Sequence, residues 1–433
     1  MKLFFDSVGC RLNQAEIERM ALDFRSAGHE IVDDMAEAEI VVVNTCAVTA
    51  AAASDSRQKI RQVNRMGVPQ IVATGCWVSL DPQAAREMTG VTQVILNNEK
   101  SQLASLVIGK QVAAFELEPL ERTPLPGIHR RTRAFIKVQD GCNNHCTFCV
   151  TRIARGASIS VPEKEILNEV LSAEKGGAQE IVLSGVHLAS WGHDFQSPLS
   201  LSDLLLFLLK ETGIPRIRLS SIEPWDLDEA FFDLWQNPRL CPHFHLPLQS
   251  GSEATLRRMS RHTTPDLYRK LVQLIRRNLP EAAITTDIIV GFPGETEAEF
   301  TESLAFVKEM SFSGGHVFKY SAREGTPAFK LPGRINGQTA RQRSQAMRSI
   351  LAQSQIEYEQ RFYDRRLDVL WESVSHNGDK GWLMHGLSQN YLTVCAWSEQ
   401  NIWNTISPVK ICRIDQGTLE GELLPDIMRV EKK

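Results

Sequence analysis

Over roughly the first 98 residues, short apolar runs alternate with longer stretches whose apolar positions recur every three or four residues. KLFFDSV, EIVVVN and QIVAT read as strands. Between them NQAEIERMALDFRSAG carries the helical period, as does an Ala-rich stretch ending near Met66. Asp81-Pro82 then opens a further helix, an N-cap followed by proline in the first turn. Apolar strands that alternate with helices predict a parallel, doubly wound α/β sheet.

The pattern breaks from about 99 to 132, where ELEPLERTPLPGIHRRTR reads as a linker with a basic cluster. It resumes near Ala134. FIKVQ, EIVLSG, RIRLSS, FHLPLQ, TTDIIVGF and GHVFKY alternate with helical segments such as EKEILNEVLSAEKGGA and LYRKLVQLIRRNL. Six such units predict an open or partial (β/α) barrel. After a helical stretch around 338 to 362 come LDVLWES, GWLMHGL, NYLTVCAW, PVKICRI and GELLP, short alternating runs that predict a small all-β barrel. The expected domains are 1–120, 128–362 and 365–433.

Composition adds little to this picture. The 433 residues are 42% hydrophobic and 23% charged, with net charge −4, so nucleic-acid binding would have to rest on local basic patches. The apolar run LLLFLL is far too short to span a bilayer, and MKLFFDSVGC has none of the marks of a secretory signal. A cytoplasmic protein is expected, and its nine clustered cysteines then read as ligands rather than as a disulfide framework.

Cys142, Cys146 and Cys149 stand three and then two residues apart in DGCNNHCTFC, directly after the strand FIKVQ. That strand end is where barrels keep their chemistry. A zinc site closes with four ligands, whereas a 4Fe-4S cubane held by three thiolates keeps one iron free for a substrate or cofactor. A zinc site completed by His145 or a distant residue is the alternative, weakened because adjacent residues such as His145 and Cys146 rarely reach one ion. His145 is expected on an exposed loop. Cys10, Cys46 and Cys76 each follow a predicted strand of the first sheet, so a parallel arrangement brings all three to its carboxyl edge. Singly each would be a small buried hydrophobe; together they predict a second three-cysteine cluster. Cys241, Cys395 and Cys412 are expected in cores.

SVGCRLNQAE, NTCAVT, TGC, QDGCNNHCTFC, ARG at 154 to 156, LSGVHLASWG, HLPLQSGSEATLRRMSR and DIIVGFPGET resemble the methylthiotransferase family of radical S-adenosylmethionine enzymes. The C-terminal barrel, with GLSQNYLTV, is similar to that family's RNA-binding TRAM domain. QDGCNN with GCRLNQAE and NTCAVT is most like the branch acting on threonylcarbamoyl-adenosine beside the tRNA anticodon; other branches act on isopentenyl-adenosine or on an aspartate of a ribosomal protein. The resemblance implies two 4Fe-4S clusters and S-adenosylmethionine. The cluster on Cys142, Cys146 and Cys149 would generate a deoxyadenosyl radical, and the one on Cys10, Cys46 and Cys76 would carry the sulfur. It also implies tRNA as partner and an electron donor such as a flavodoxin or ferredoxin. Two departures from the family pattern, Trp77-Val78-Ser79 and Thr151-Arg152, adjoin the clusters.

Gly185, His187, Gln249 and Ser250 end barrel strands and are expected to line the cofactor pocket, with a backbone-bonding role for His187 as the alternative. GFPGET could cradle the adenosine part, although a Gly-Pro turn after a strand is common. For RNA the candidates are Arg130, Arg131 and Arg133, then Arg257, Arg258 and Arg261, then the C-terminal barrel. Tyr391 and Trp397 could stack on bases there, although alternating aromatics in a small barrel are more often core. A non-catalytic, metal-stabilised RNA-binding protein is the reading from another class.

Overall fold

The computed structural model describes residues 1–110, 132–376, 381–415 and 417–425. Arg130 and Arg131 lie outside them. The N-terminal sheet is parallel throughout, with β1 (Lys2–Ser7), β2 (Glu30–Ile31), β3 (Ile40–Thr45), β4 (Gln70–Gly75) and β5 (Val91–Ile95) in the order β2-β1-β3-β4-β5. Every residue of β3 is buried, as a central strand covered on both faces must be. The helices Arg11–Ser26 and Ala50–Arg65 supply that cover. Asp81 caps the helix Pro82–Arg86 as the sequence indicates, accepting from the Ala84 amide at 3.1 Å.

The second unit opens with β6 (Arg133–Lys137), which leads into β7 (Gln139–Asp140), paired antiparallel with β8 (Ile159–Ser160). That two-residue clip closes the base of the cysteine loop between them. β9 (Glu180–Ser184) and β10 (Arg216–Leu219) extend β6, while β11 (His243–His245), β12 (Ala283–Val290) and β13 (Gly314–Lys319) form a second parallel sheet. Bridges Ile217↔Leu240 and Ser221↔His245 join the two sheets into one six-stranded arc in chain order. The partial barrel is thus as expected. Ala134, Ile136, Ile181, Leu183, Ile288 and Val317 face its helices in one continuous core. The alternating residues face the concave side, where Ala15 of the N-terminal helix Arg11–Ser26 meets Phe135 and Val182.

The C-terminal unit is a closed barrel of β14 (Arg366–His376), β15 (Trp382–Ser388), β16 (Thr393–Ser398), β17 (Ile406–Asp415) and β18 (Thr418–Leu423). Its last strand starts earlier than GELLP would place it, because Leu419 is the side chain that reaches the barrel core. Arg216 and Arg218 hold this barrel against the arc, donating to the carbonyls of Leu387, Asp368, Ser388 and Gln389. Tyr391 sits at the same junction, stacked on His243 at 4.1 Å with its hydroxyl bonded to Arg11. It is therefore committed to packing between the three units. Trp397 is exposed instead, and so is Cys412, against the expectation of a core position, since it falls on the outward face of β17. Cys241 and Cys395 are buried as expected.

Candidate iron–sulfur centres

Cys10, Cys46 and Cys76 follow β1, β3 and β4, three adjacent strands of a parallel sheet, and so lie along one stretch of its carboxyl edge. Cys46 is the residue after β3, and Cys76 opens the helix Cys76–Leu80. The turn before Cys76 needs Gly75 at φ +105, where a Cβ would collide with the Thr45 backbone of the neighbouring strand. Asn13 ties the loops together, donating to the carbonyls of Val8 at 2.8 Å and Thr45 at 3.1 Å. The thiols sense one another electrostatically, and burial pushes Cys46 up to about 11.

Cys142, Cys146 and Cys149 lie on the loop clipped by β7 and β8. Gly141, at φ +66, runs so close to the Ala157 carbonyl that a Cβ could not fit. Thr147 pins the loop on both sides, its amide and hydroxyl bonding the carbonyls of Met259 and Arg258 while its own carbonyl accepts from Ala328. Phe148 packs on Met259, Phe292 and Ala328. Burial pushes the Cys146 thiol up to about 11, with Arg261 pulling the other way. His145 is exposed, as expected, beside Arg152.

The donor sets suit a cubane. Each pocket offers three thiols, most of them at least partly buried, and thiols held up by burial ionise more readily beside positive charge, such as bound iron or a guanidinium supplies. Each pocket has that guanidinium. Arg155 Nε donates to Cys76 Sγ at 3.2 Å, and Arg261 stands 3.8 Å from Cys146 Sγ. Among the described residues no three His, Cys, Asp or Glu side chains surround a single ion-sized point.

Arg155 also joins the pockets. It belongs to the cysteine loop of the partial barrel, yet its guanidinium reaches Glu16 at 2.7 Å, Asp140 at 2.9 Å and Asn13 at 2.9 Å. Lys100 and Lys137 complete a buried network around Glu16. Burial alone would raise the Glu16 carboxyl, but Arg155, Lys100 and Lys137 hold it well below the usual carboxylate range. The sequence motif ARG contained this residue without disclosing its partners.

The other expected site residues divide. His187 stands beside the loop: its Nε2 meets Asp226 at 2.7 Å and its amide is held by Gln139. Burial opposes its charge, but hydrogen bonds to Asp226 and Cys142 raise it to about 9. Gly185 packs against Gln139. Gln249 adopts φ 72 and bonds through its backbone to Asp287 and Ile289, bringing β11's loop to β12. Ser250 is buried, its hydroxyl accepting from the Ser252 amide inside the turn. Gly291 and Glu295 of GFPGET close on themselves, the Gly291 amide donating to the Glu295 carboxylate.

Of the four described arginines expected to meet RNA, one is buried and two are partly buried in ion pairs. Arg261 is 2% exposed, fixed by Glu223 and the Pro247 carbonyl over the Trp225 ring. Arg133 pairs with Glu372, and Arg258 with Glu299 through two bonds. Arg257 is exposed and pairs with Glu253.

Comparison with known proteins agrees with this arrangement. Residues 2–97 match the uncharacterized protein family UPF0004 and residues 136–307 the radical SAM superfamily. The threonylcarbamoyladenosine tRNA methylthiotransferase MtaB of Bacillus subtilis is 32% identical across 97% of this chain and 96% of its own. The tRNA-2-methylthio-N(6)-dimethylallyladenosine synthase of Clostridium tetani is 30% identical across 97% and 95%. The radical S-adenosylmethionine methyltransferase TsrM of Kitasatospora setae shares the fold at 16% identity, with a TM-score of 0.58 over 76% of each chain. With two three-cysteine pockets in place and relatives matched along almost its whole length, the chain belongs to the methylthiotransferase family of radical S-adenosylmethionine enzymes, and resembles its threonylcarbamoyladenosine tRNA branch.

Proposed function

We propose that this protein methylthiolates carbon 2 of N6-threonylcarbamoyladenosine at position 37 of tRNA. The observation that carries the reading is the pair of three-cysteine pockets joined through Arg155, in a chain whose relatives on the threonylcarbamoyladenosine branch align nearly end to end. Carbon 2 of adenine bears an unactivated C–H bond that a side-chain base cannot usefully deprotonate at neutral pH. S-adenosylmethionine and two 4Fe-4S clusters, when bound, supply the one-electron chemistry and the sulfur.

The chain's own residues supply position. Cys142, Cys146 and Cys149 would hold one cluster at the barrel rim, and Cys10, Cys46 and Cys76 the other. Arg261 and Arg155 each place a fixed positive charge beside one trio. His187, held by Asp226 and Gln139, borders the first pocket and is a candidate contact for S-adenosylmethionine with Gly185 and Gln249. The Arg155–Glu16–Asp140 network ties the unit that carries one trio to the unit that carries the other, and a base is proposed to bind between them. No helix among the described residues is long and apolar enough to cross a membrane. A cytoplasmic enzyme drawing electrons from a flavodoxin or ferredoxin, with the C-terminal barrel and its exposed Trp397 on the RNA side, completes the proposal.

Mass spectrometry of tRNA nucleosides from cells with and without the gene tests it. Loss of the methylthio form of threonylcarbamoyl-adenosine, with its precursor accumulating, is expected. The match to the Clostridium tetani synthase favours a second reading, dimethylallyl-adenosine as substrate; in that case the methylthio form of that nucleoside would disappear instead.

A further inference from the structure

The two arginines that bond a cysteine thiol are also neutralised by carboxylates: Arg155 by Glu16 and Asp140, Arg261 by Glu223. Two others near the trio on Cys10, Cys46 and Cys76 depart from this. Arg323 lies on the loop after β13, and Arg57 on the helix Ala50–Arg65. Among the described residues neither has a carboxylate within ion-pair distance, although Lys59, two residues from Arg57, pairs with Asp6 at 3.0 Å. Glu324, next to Arg323 in the chain, is exposed and forms no ion pair with it among the described residues.

Their location gives the departure meaning. The Ser321 hydroxyl, two residues before Arg323, accepts from the Ala50 amide at 3.2 Å, so the loop is fastened to the N-terminal unit just beyond Cys46. On its other side Gly325 lies against the Ile153 side chain, which follows the cysteine loop of the barrel. The loop therefore bridges the segments that follow Cys46 and Cys149. Arg323 is half-buried and feels the charges of Cys46 and Arg57, while Arg57 stacks 5.8 Å over the Trp77 ring, the residue after Cys76. Val48 and Ile153 are exposed on those two segments, apolar side chains suited to a base. Two like charges within electrostatic reach of each other, beside exposed apolar side chains, are complementary to an anion.

We propose that Arg323 and Arg57 read the free carboxylate of the threonylcarbamoyl group. The inference rests on the function proposed above. Sulfur must reach carbon 2 of the adenine, so that edge of the ring faces the trio on Cys10, Cys46 and Cys76. Carbon 6, which bears the N6 substituent, flanks N1 on the other side from carbon 2, so the substituent lies beside that edge, on the side where the two guanidiniums stand. A neutral alkyl substituent would leave both cations unpaired and desolvated, so the pair would select for the carboxylate as well as bind it. A backbone phosphate of the anticodon loop offers the same anionic oxygens, and the experiment separates the two sources.

The test is a binding measurement that needs no turnover. Fluorescent anticodon stem–loops carrying threonylcarbamoyl-adenosine, the same nucleoside with its carboxyl group masked as the methyl ester, or plain adenosine are titrated against cluster-reconstituted protein. Wild type, Arg323→Met, Arg323→Lys and Arg57→Met are compared at equal iron content. Wild type is expected to prefer the free acid over the ester by about tenfold or more, the worth of one charge-assisted pair. Arg323→Met should reduce that preference to about twofold or less and Arg57→Met should reduce it partway, with Arg323→Lys retaining part of it. An equal loss on all three RNAs would assign the pair to phosphate, and an unchanged preference in Arg323→Met would assign it to solvent; either result overturns the inference. If wild type methylthiolates the threonylcarbamoyl loop but does not distinguish acid from ester, the function stands and this inference falls. If wild type does not methylthiolate that loop at all, the proposed function has failed with it.

Discussion

The two cysteine pockets use the same ligand type and number but are built in opposite ways. Cys142, Cys146 and Cys149 belong to one eight-residue loop, clipped by β7 and β8, whose geometry is largely a local matter. Cys10, Cys46 and Cys76 are spread over 67 positions and meet only because β1, β3 and β4 are adjacent and parallel. The difference teaches that a loop-built pocket is as robust as its loop. The strand-built pocket is as robust as the whole sheet, and in this chain it also depends on a residue of the other unit, Arg155.

Replacing ligands should separate the pockets most sharply. Cys142→Ala is expected to abolish both reductive cleavage of S-adenosylmethionine and methylthiolation. Cys10→Ala should abolish methylthiolation alone, and each should lose about half the iron, one of two four-iron clusters. Product formation by Cys10→Ala would end the assignment of that trio, and the comparison with it. Glycine replacements come next. Gly75→Ala drives a methyl into the Thr45 backbone and Gly141→Ala one into the Ala157 carbonyl, each at a positive φ. Each should cost about 3 kcal/mol or more locally. Iron and sulfide counts would show whether each change empties only its own pocket. If Gly141→Ala emptied both, the loop would not be the self-contained unit described here.

Arg155→Met probes the dependence of one pocket on the other. Its side chain is 2% exposed, and its loss removes one of three cations around buried Glu16, so destabilisation of about 3 kcal/mol is expected by denaturant titration. The signal specific to this arrangement is spectroscopic: removing the charge beside Cys76 should shift the midpoint potential of the N-terminal cluster to lower values and leave the other almost unmoved. Equal shifts in both would mean that Arg155 acts only as a brace. The smallest effect lies away from both pockets and supplies the baseline. Burial raises the Asp23 carboxyl to about 6 despite Arg19 nearby, so its favourable contribution is present below about pH 4 and fades as pH rises through 6. Asp23→Asn should therefore stabilise by about 1–2 kcal/mol at pH 8, allowing for partial solvent access, and have little effect at pH 4. Thermal unfolding at the two pH values measures it.

Much of the architecture was legible because it is written in period. β3 runs apolar from Ile40 to Val43 where both faces are covered, and the helices between strands repeat every three to four residues, so the parallel sheet and the six-stranded arc follow from pattern alone. Charge was far less legible. Arg133, Arg258 and Arg261 read as a surface for RNA, yet Glu372, Glu299 and Glu223 pair with them from positions 239, 41 and 38 residues away. Cys412 and Trp397 read as core, yet each falls on the outward side of its strand, a matter of register that β-bulges can reset.

By itself the sequence determined the order of the units, the loop-built trio and the strand ends at which the other three cysteines fall, because these depend on local spacing and hydrophobic period. Only the tertiary structure decided which cations are neutralised and which stand free. Arg155 is locked between Cys76, Glu16 and Asp140, whereas Arg57 and Arg323, near the same trio, meet no carboxylate among the described residues. Electrostatic partnership acts through space over a few ångströms, and separation along the chain does not encode it.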